Sequence, residues 1–223
     1  MPAEFLARSS DRETIGPTAC RAAQDTSTTM PNLVPKVPAT TWVETARDVL
    51  VDEGIDAVKV DRIALRLGVS RGGFYHHFAD RADLLARLLR LWQDSVVFVP
   101  AGPAPAGPKA ALVAIDTLVE RLITEAGYHP RFDLAVRTWG HADPQVAQAV
   151  EAADTARLES LERIFKALGC KGQEAKIRAR VFYFHQIGYY AIGVTETTQN
   201  RRRQLDSYVR ILCGEENLRA AQA

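Results

Sequence analysis

The sequence contains little cysteine and almost no net charge. Its three cysteines, Cys20, Cys170 and Cys213, lack the C-x-x-C spacing of a thiolate zinc site. Their odd number does not suit a disulfide framework, which favours a reducing compartment. The 28 Lys and Arg residues balance the 27 Asp and Glu residues, so the net charge of +1 gives no global attraction to nucleic acid or to a membrane. A nucleic-acid partner would have to bind a local basic patch.

Long hydrophobic runs are also missing. No uninterrupted apolar stretch reaches the roughly 18–20 residues of a membrane span. Residues 1–14 contain no continuous apolar segment of the kind found in secretory signals. Because 47% of the residues are nevertheless apolar, the chain can bury a substantial core. We therefore expect a soluble, cytoplasmic protein that does not bind membranes.

Several short motifs of enzymes are absent. The sequence contains no S-x-x-K, no phosphate-binding glycine loop and no H-E-x-x-H. No two histidines are four residues apart, and the adjacent His76 and His77 would project about 100° apart on a helix. We therefore predict a protein without catalytic residues, metal or cofactor. An all-helical enzyme that uses its histidines is one alternative.

Two segments have the composition of flexible chain. Residues 1–38 contain five prolines, many Ser and Thr, and no helical or strand periodicity, so they are predicted to form a disordered tail. Within them, Met30 is a possible alternative start. Val99–Pro108, VPAGPAPAGP, has the proline and glycine content of a linker. We expect one domain at residues 39–98 and a second at residues 109–223.

Helical patterns and caps fill the first of these domains. Residues 41–44, TWVE, have the spacing of a capping box, which predicts a helix that begins there and ends at Gly54. A second short helix is expected to end at Gly68. Ser70 is expected to cap a third helix, and Asp80 a longer fourth one.

Helical spacing continues through the second domain. Asp143 followed by proline is a good helix start. The expected helices cover about residues 109–125, 131–141, 143–168, 173–194 and 202–212. Alternation of the kind found in hairpin strands is absent, so we predict an all-α fold. Residues 201–203, three consecutive arginines, are interpreted as a solvated loop between the last two helices.

The second and third helices are joined in the manner of a helix-turn-helix. Gly68 can adopt the positive φ that ends a helix, and Ser70 can cap the next one. Gly72 and Gly73 follow inside the third helix, at a cost of roughly 1 kcal/mol each relative to alanine. That cost is reasonable where the backbone lies close against a DNA groove. The alternative is that the glycines end the helix and residues 76–78 form a loop.

Local charge is more informative than global charge. The segment from Lys59 to Trp92 contains seven basic and three acidic residues, a net charge of +4. The helix before it is acidic. This polarity gives the predicted helix-turn-helix one face that suits phosphate groups.

The order of residues over about 40–87 is similar to the DNA-binding domain of the TetR family of transcriptional regulators. The matching residues are Gly54, Ile55, Val60, Ile63, Ala64, Leu67, Gly68, Val69, Ser70, Arg71, Gly72, Phe74, Tyr75, His77, Phe78, Arg81, Leu84 and Leu85. The resemblance implies an N-terminal three-helix domain that binds double-stranded operator DNA. It also implies a divergent, helical C-terminal domain that binds a small-molecule effector and dimerises.

The resemblance also implies which residues contact DNA. Arg71 and the surface of the two glycines would face the bases, while Tyr75, His76 and Arg81 would reach phosphates. Lys59 stands where the family usually has a Thr or Ser cap, so the second helix is expected to begin one or two residues later. The predicted DNA-binding set is Lys59, Ser70, Arg71, Gly72, Gly73, Tyr75, His76 and Arg81.

One predicted helix of the second domain combines aromatic and polar residues on one side. Four of its residues follow one another at spacings of 4, 3 and 4, and two more on the helix before residue 143 are expected to line the opposite wall. The predicted effector-binding set is Arg178, Phe182, His185, Tyr189, Trp139 and His141. The alternative is that Arg178 is solvated and the others are ordinary core.

The same region is expected to form a homodimer. We place the interface on the last two helices, about Gln173–Leu212, where Gly188 and Ala191 would permit close approach beside Phe184 and Ile187. The sequence thus predicts a homodimeric repressor that a small molecule releases from DNA. A second alternative is a ligand-binding or interaction protein whose helix-turn-helix no longer binds DNA.

Overall fold

The computed structural model describes residues 37–99 and 102–222. These residues form nine α-helices and two 3-10 helices and contain no β-strand, so the all-α prediction is confirmed. Apart from Val37 and Pro38, the predicted tail at residues 1–38 lies outside the described residues, as do residues 100 and 101 of the predicted linker. None of the helices within the described ranges is both long and apolar enough to span a membrane.

The first five helices include the four predicted ones in the predicted order, together with one 3-10 helix that was not predicted. They are α1 (Ala39–Glu53), a first 3-10 helix (Ile55–Ala57), α2 (Val60–Leu67), a second 3-10 helix (Arg71–His76) and α3 (Arg81–Ser95). Gly54 ends α1 at φ 83°, and Gly68 ends α2 in the left-handed conformation at φ 66°. Asp80 caps α3 as predicted, because its carboxylate accepts a hydrogen bond from the Asp83 amide at 2.9 Å.

The capping box predicted at residues 41–44 is wrong. Helix α1 begins two residues earlier, at Ala39, with Pro38 as its N-cap residue and without any side-chain cap. The Thr41 amide already donates to the Pro38 carbonyl at 3.1 Å, so it has no need of a capping group. The extended backbone of Pro38, at ψ 155°, leads the chain directly into the first turn.

The third predicted helix is present as a 3-10 helix. It runs through Gly72 and Gly73 to His76, so the glycines do not interrupt it. Ser70 occupies the N-cap position, but its side chain accepts no hydrogen bond, which corrects the predicted cap. The Gly73 amide donates to the Ser70 carbonyl at 3.1 Å instead, the i to i+3 bond of this tighter helix.

Six further α-helices complete the chain. They are α4 (Pro108–Thr124), α5 (Pro130–Gly140), α6 (Pro144–Leu168), α7 (Gln173–Ile192), α8 (Thr198–Cys213) and α9 (Glu215–Gln222). Asp143 caps α6 through bonds from the amides of Gln145 and Val146, at 3.0 and 3.3 Å. The sequence missed α9, and residues 201–203 lie within α8 rather than in a loop.

Apolar side chains form one core across the described residues. Under the second 3-10 helix, the Phe74 ring meets Trp42 at 5.6 Å and stacks on Phe78 at 4.8 Å between centroids. Helices α1 and α3 both pack against α5, so this core continues into the C-terminal helices. The predicted division between two functional domains remains a prediction.

A buried carboxylate lies where α3, α5 and α6 meet. Asp133 on α5 is completely buried, and it accepts a hydrogen bond from the indole of Trp92 on α3 at 2.9 Å. Arg157 on α6 pairs with the same carboxylate at 3.2 Å, and Arg137, one turn along α5, reaches it at 3.2 Å. The Asp133 carboxylate therefore receives hydrogen bonds from Trp92, Arg137 and Arg157. These bonds offset the desolvation cost of burying its charge.

Asp154 extends these contacts to α7. Arg137 donates to it at 2.6 Å, as does the hydroxyl of Tyr183. Burial raises the pKa of Asp154, but the hydrogen bonds from Arg137 and Tyr183 outweigh burial, so the net pKa is lowered and the group stays charged. Burial raises the pKa of Tyr183 to about 12, so its hydroxyl remains a donor. We call Trp92, Asp133, Arg137, Asp154, Arg157 and Tyr183 the buried polar network.

We expect Arg157→Ala to lower the free energy of unfolding by about 3–5 kcal/mol, because it removes one of the two arginines that pair with the buried Asp133. Arg163→Ala, at an exposed position of the same helix, should change it by no more than about 0.5 kcal/mol. Chemical denaturation at one fixed protein concentration measures both. Equal effects of the two substitutions would show that the network does not stabilise the fold.

Candidate functional site

The turn between α2 and the second 3-10 helix fixes which side chains face outward. The Val69 amide donates to the Ala64 carbonyl at 3.0 Å, and the left-handed Gly68 reverses the chain. Phe74 then points into the core, completely buried, while Tyr75 is 54% exposed. Arg71 and His76 are exposed as well. This six-residue helix therefore presents a guanidinium, a phenol and an imidazole to solvent.

Arg71 is held by two neighbours on this surface. Its Nε lies 2.9 Å from the carboxylate of Asp61 on α2, and its Nη2 donates to the Tyr75 hydroxyl at 3.4 Å. Both members of the ion pair are well exposed, so the attraction is weak and easily exchanged for another anion. Asp61 was not among the predicted site residues, although the sequence places its negative charge within the basic segment from Lys59 to Trp92.

The two glycines of the second 3-10 helix have different surroundings. Gly72 is exposed, and a Cβ there would meet only the Ser70 hydroxyl at 3.7 Å. Gly73 is half-buried, and a Cβ there would meet the ring of Trp42 at 3.6 Å. The structure therefore turns Gly72 to the surface and Gly73 toward the core.

Three other polar residues of the predicted DNA-binding surface are all exposed but differ in their hydrogen bonds. Lys59 and Ser70 are both exposed. Helix α2 starts directly after Lys59 and has no side-chain cap, so the expected delay of one or two residues is wrong. Arg81 donates from Nε to the Val58 carbonyl at 2.6 Å and from Nη2 to the Ile55 carbonyl at 3.0 Å. Arg81 thus ties α3 to the α1–α2 connection.

His77, next to the exposed His76, is directed inward. Its Nε2 lies 2.9 Å from the Val37 carbonyl, which ties the second 3-10 helix to the chain that enters α1. Among the described residues, no three His, Cys, Asp or Glu side chains cluster as a metal site. Gly68–Gly72 also spells G-x-S-x-G, but it joins two helices rather than a strand and a helix, so it is not a nucleophile elbow.

A cavity of about 210 Å³ lies between α4, α7 and α8. Three residues of the predicted effector-binding set line it: Phe182, His185 and Tyr189. Most of the remaining wall is apolar. Burial lowers the pKa of His185, and nearby Arg201 lowers it further, so His185 is neutral at pH 7.

The other three residues of that set do not line the cavity. Trp139 is 4% exposed in the core, and His141 is exposed at the end of α5. Arg178 donates to the carbonyl oxygens of Ile211 and Leu212 and pairs with Glu174 at 2.8 Å. It therefore caps the C-terminal end of α8, a common role for arginine.

Arg201 is a charged cavity residue that was absent from the predicted effector-binding set. It lies on α8, half-buried, with its guanidinium carbon 4.9 Å from the ring centre of Tyr189. Because residues 201–203 were interpreted as a loop, Arg201 was not assigned to a helix face. The predicted helix start at about residue 202 was four residues late, and a start at Thr198 would have put Arg201 on the same face as Leu205 and Tyr208.

Residues 43–88 match the family model described as bacterial regulatory proteins of the tetR family. The matched segment contains α2, the second 3-10 helix and the exposed residues Arg71, Tyr75 and His76. A search of curated protein sequences gave no significant match.

The fold is similar to that of a solved TetR-family structure. A TetR-family transcriptional regulator from Marinobacter aquaeolei VT8 is 15% identical, with a TM-score of 0.56 over 70% of this chain and 79% of the other. At this identity the likeness concerns the fold alone. BioQ from Mycobacterium smegmatis is 19% identical over 79% of this chain and 98% of its own, with a TM-score of 0.39.

We expect Arg81→Ala to lower the free energy of unfolding by about 1–2 kcal/mol, because two backbone carbonyls lose their donors. Arg71→Ala should lower it much less than Arg81→Ala does, since Arg71 makes only exposed contacts. Thermal or chemical unfolding of the two variants separates the roles. A loss of stability in Arg71→Ala but not in Arg81→Ala would reverse this assignment.

Proposed function

Residues 43–88 make this chain a member of the TetR family of bacterial regulatory proteins, and on that premise we propose that it is a homodimeric transcriptional repressor released from its operator by a small molecule. The coarser function, a DNA-binding transcriptional regulator, follows from the family. Repression, dimerisation and effector release are the proposed parts. The proposed work is binding rather than catalysis, and it takes place in the cytoplasm, where bacterial DNA lies.

The observation that carries the proposal is the outward face of the second 3-10 helix. Arg71, Tyr75 and His76 project from this helix, beside the bare backbone of Gly72. Lys59 is the N-cap residue of the neighbouring helix α2. Arginine can donate two parallel bonds to a guanine edge, while Tyr, His and Lys suit phosphate oxygens. We assign base reading to Arg71 and backbone contacts to the other three. Ser70, exposed at the start of the same helix, lies beside them.

Two other predicted contacts take reduced parts in this proposal. Arg81 has two of its nitrogens bonded to backbone carbonyls, so any phosphate contact would use its remaining Nη1. Gly73 faces Trp42. It therefore lies on the core side of this helix rather than on the proposed DNA-binding surface.

The proposed dimer rests on an apolar stripe along α7 and α8. On α7, Ile177, Val181, Phe184 and Ile192 are between 47% and 80% exposed. On α8, Tyr208 is 49% and Ile211 80% exposed. A Cβ at Gly188, on the same side of α7, would meet nothing within 4 Å, so a second helix can approach there. Exposed apolar surface of this kind marks an interface.

The proposed effector site is the cavity lined by Phe182, His185 and Tyr189. Val181 and Ile211 line the cavity and also belong to the apolar stripe. A ligand in the cavity would therefore change the surface on which the dimer packs. Release of DNA follows if the ligand prefers a dimer in which the two DNA-binding surfaces no longer match the half-site spacing.

DNA binding is tested with duplexes from around the gene of this protein and scrambled duplexes of equal length, by fluorescence anisotropy over a salt series. We expect salt-sensitive binding that favours one genomic fragment. Arg71→Ala should weaken binding to that fragment by roughly 5–150-fold and affect scrambled DNA less, because it removes a base contact. Arg219→Ala, an exposed arginine on α9, is the control and should have no effect.

Two results would contradict this assignment. Equal weakening of both duplexes by Arg71→Ala would make its contact purely electrostatic. Absence of salt-sensitive binding to every duplex would overturn the DNA-binding function and favour the alternative, an interaction protein whose helix-turn-helix no longer binds DNA.

Assembly is tested with Phe184→Glu, which places a charge in the centre of the apolar stripe. We expect sedimentation velocity to show a dimer for the unchanged chain and a monomer for the variant, together with weaker operator binding. Val113→Glu, at a 59% exposed position on α4, is the matched control and should leave the dimer intact. A Phe184→Glu protein that still sediments as a dimer places the interface elsewhere.

A further inference from the structure

Arg201 is fixed at the inner wall of the α4–α7–α8 cavity. Its guanidinium carbon lies 4.9 Å from the ring centre of Tyr189 and 5.7 Å from that of Tyr190. Its Nη1 donates to the Ile123 carbonyl at 3.3 Å and to the Tyr190 hydroxyl at 3.4 Å. Two aromatic faces and two acceptors therefore hold this cation in place.

The fixed guanidinium lacks a counter-charge among the described residues: no carboxylate there lies within 4 Å of it. Glu196, the acid in the cavity wall, accepts hydrogen bonds from the Tyr189 hydroxyl and from Gln204, both at 3.2 Å. The next arginine, Arg202, pairs with Glu120. Arg201 thus keeps Nε and Nη2, the two donors of its side edge, without an acceptor in the described chain.

The remainder of the cavity is suited to an apolar body. Leu122, Phe182 and Leu212 line it, and His185 is neutral because burial and Arg201 both lower its pKa. The volume of about 210 Å³ is below the ~300 Å³ at which drug-sized pockets begin. A half-buried cation without a counter-charge is energetically unfavourable. In a site that binds an anion, the same cation provides the charge that holds the ligand.

We propose that this cavity binds a small hydrophobic carboxylate. The carboxylate pairs side-on with Nε and Nη2 of Arg201, and the apolar body packs against Leu122, Phe182 and Leu212. This proposal rests on the proposed function only because it takes this cavity as the effector site. What it adds is the chemical class of the ligand. Binding itself requires neither DNA nor a second copy.

The test is titration calorimetry of the full chain with 4-phenylbutyrate and with its uncharged counterpart, 4-phenylbutyramide. We expect the acid to bind at least about tenfold more tightly than the amide, since a charge-assisted pair replaces a neutral contact. Arg201→Gln should reduce that preference to about twofold or less. Arg203→Gln, at an exposed position of the same helix, should retain it.

Arg201→Lys checks that the cavity survives substitution. It keeps the charge but loses the forked geometry, so part of the preference for the acid should return. Equal affinity of the unchanged chain for acid and amide, or no binding of either, overturns the proposal without any variant. A preference that persists in Arg201→Gln overturns the assignment to Arg201.

The outcomes separate this inference from the proposed function. A chain that prefers the acid but binds no DNA supports the cavity and contradicts the regulator. A chain that binds its operator but shows no preference for the acid supports the regulator and contradicts the cavity chemistry. Addition of 4-phenylbutyrate to the DNA complex then reports whether occupation of this site releases DNA.

Discussion

The buried carboxylate of Asp133 is the contact on which the arrangement of the helices depends. It joins the indole of Trp92 near the end of α3, Arg137 on its own helix and Arg157 on α6. Helix α3 starts at Asp80, directly after the candidate DNA-binding surface, and ends against this carboxylate. Because a buried charge tolerates few alternative arrangements of its partners, α3 is a rigid connection between that surface and the C-terminal helices.

On α7, a residue that lines the cavity is the sequence neighbour of a residue in the buried polar network. Phe182 lines the cavity, and Tyr183 donates to Asp154 of the buried polar network at 2.6 Å. Phe98, just after α3, contacts both rings, with centroids 6.2 and 5.0 Å away. A ligand that shifts α7 must therefore also shift Tyr183 or Phe98. The coupling free energy between the cavity and the candidate DNA-binding surface would then equal the difference in the free energy of ligand binding between the two arrangements of this network.

The sequence predicted the candidate DNA-binding surface better than the cavity, for a physical reason. The turn at Gly68, the position of the next helix and the Asp80 cap are set by neighbours in the chain. The cavity depends on α4 meeting α7 and α8, about 60 to 90 residues further along the sequence. Helical spacing correctly grouped Phe182, His185 and Tyr189 on one face, but it does not reveal which helix covers that face. Arg178, on the same face, caps α8 instead.

Helix boundaries were the second source of error. The predicted helix start at about residue 202 hid Arg201, and the capping box at residues 41–44 overlooked that Pro38 already starts α1. The buried polar network left a clearer trace. Asp133 and Arg137 are four residues apart on α5, and Asp154 and Arg157 three apart on α6, which are spacings that bring opposite charges together on a helix. Two such pairs on successive helices were a readable sign of a buried network.

Three arginines of this chain show how burial decides what a cation can do. Arg157 is buried with Asp133, so neither charge can leave without a large desolvation cost, and the pair is structural. Arg71 is paired with Asp61 in the open, where solvent screens the ion pair, so the proposed DNA contact would displace Asp61 at little cost. Arg201 is half-buried against the rings of Tyr189 and Tyr190, and its Nε and Nη2 have no acceptor among the described residues. The same side chain thus serves as a structural pair, as an exchangeable contact and as a binding group because its access to water differs at the three positions.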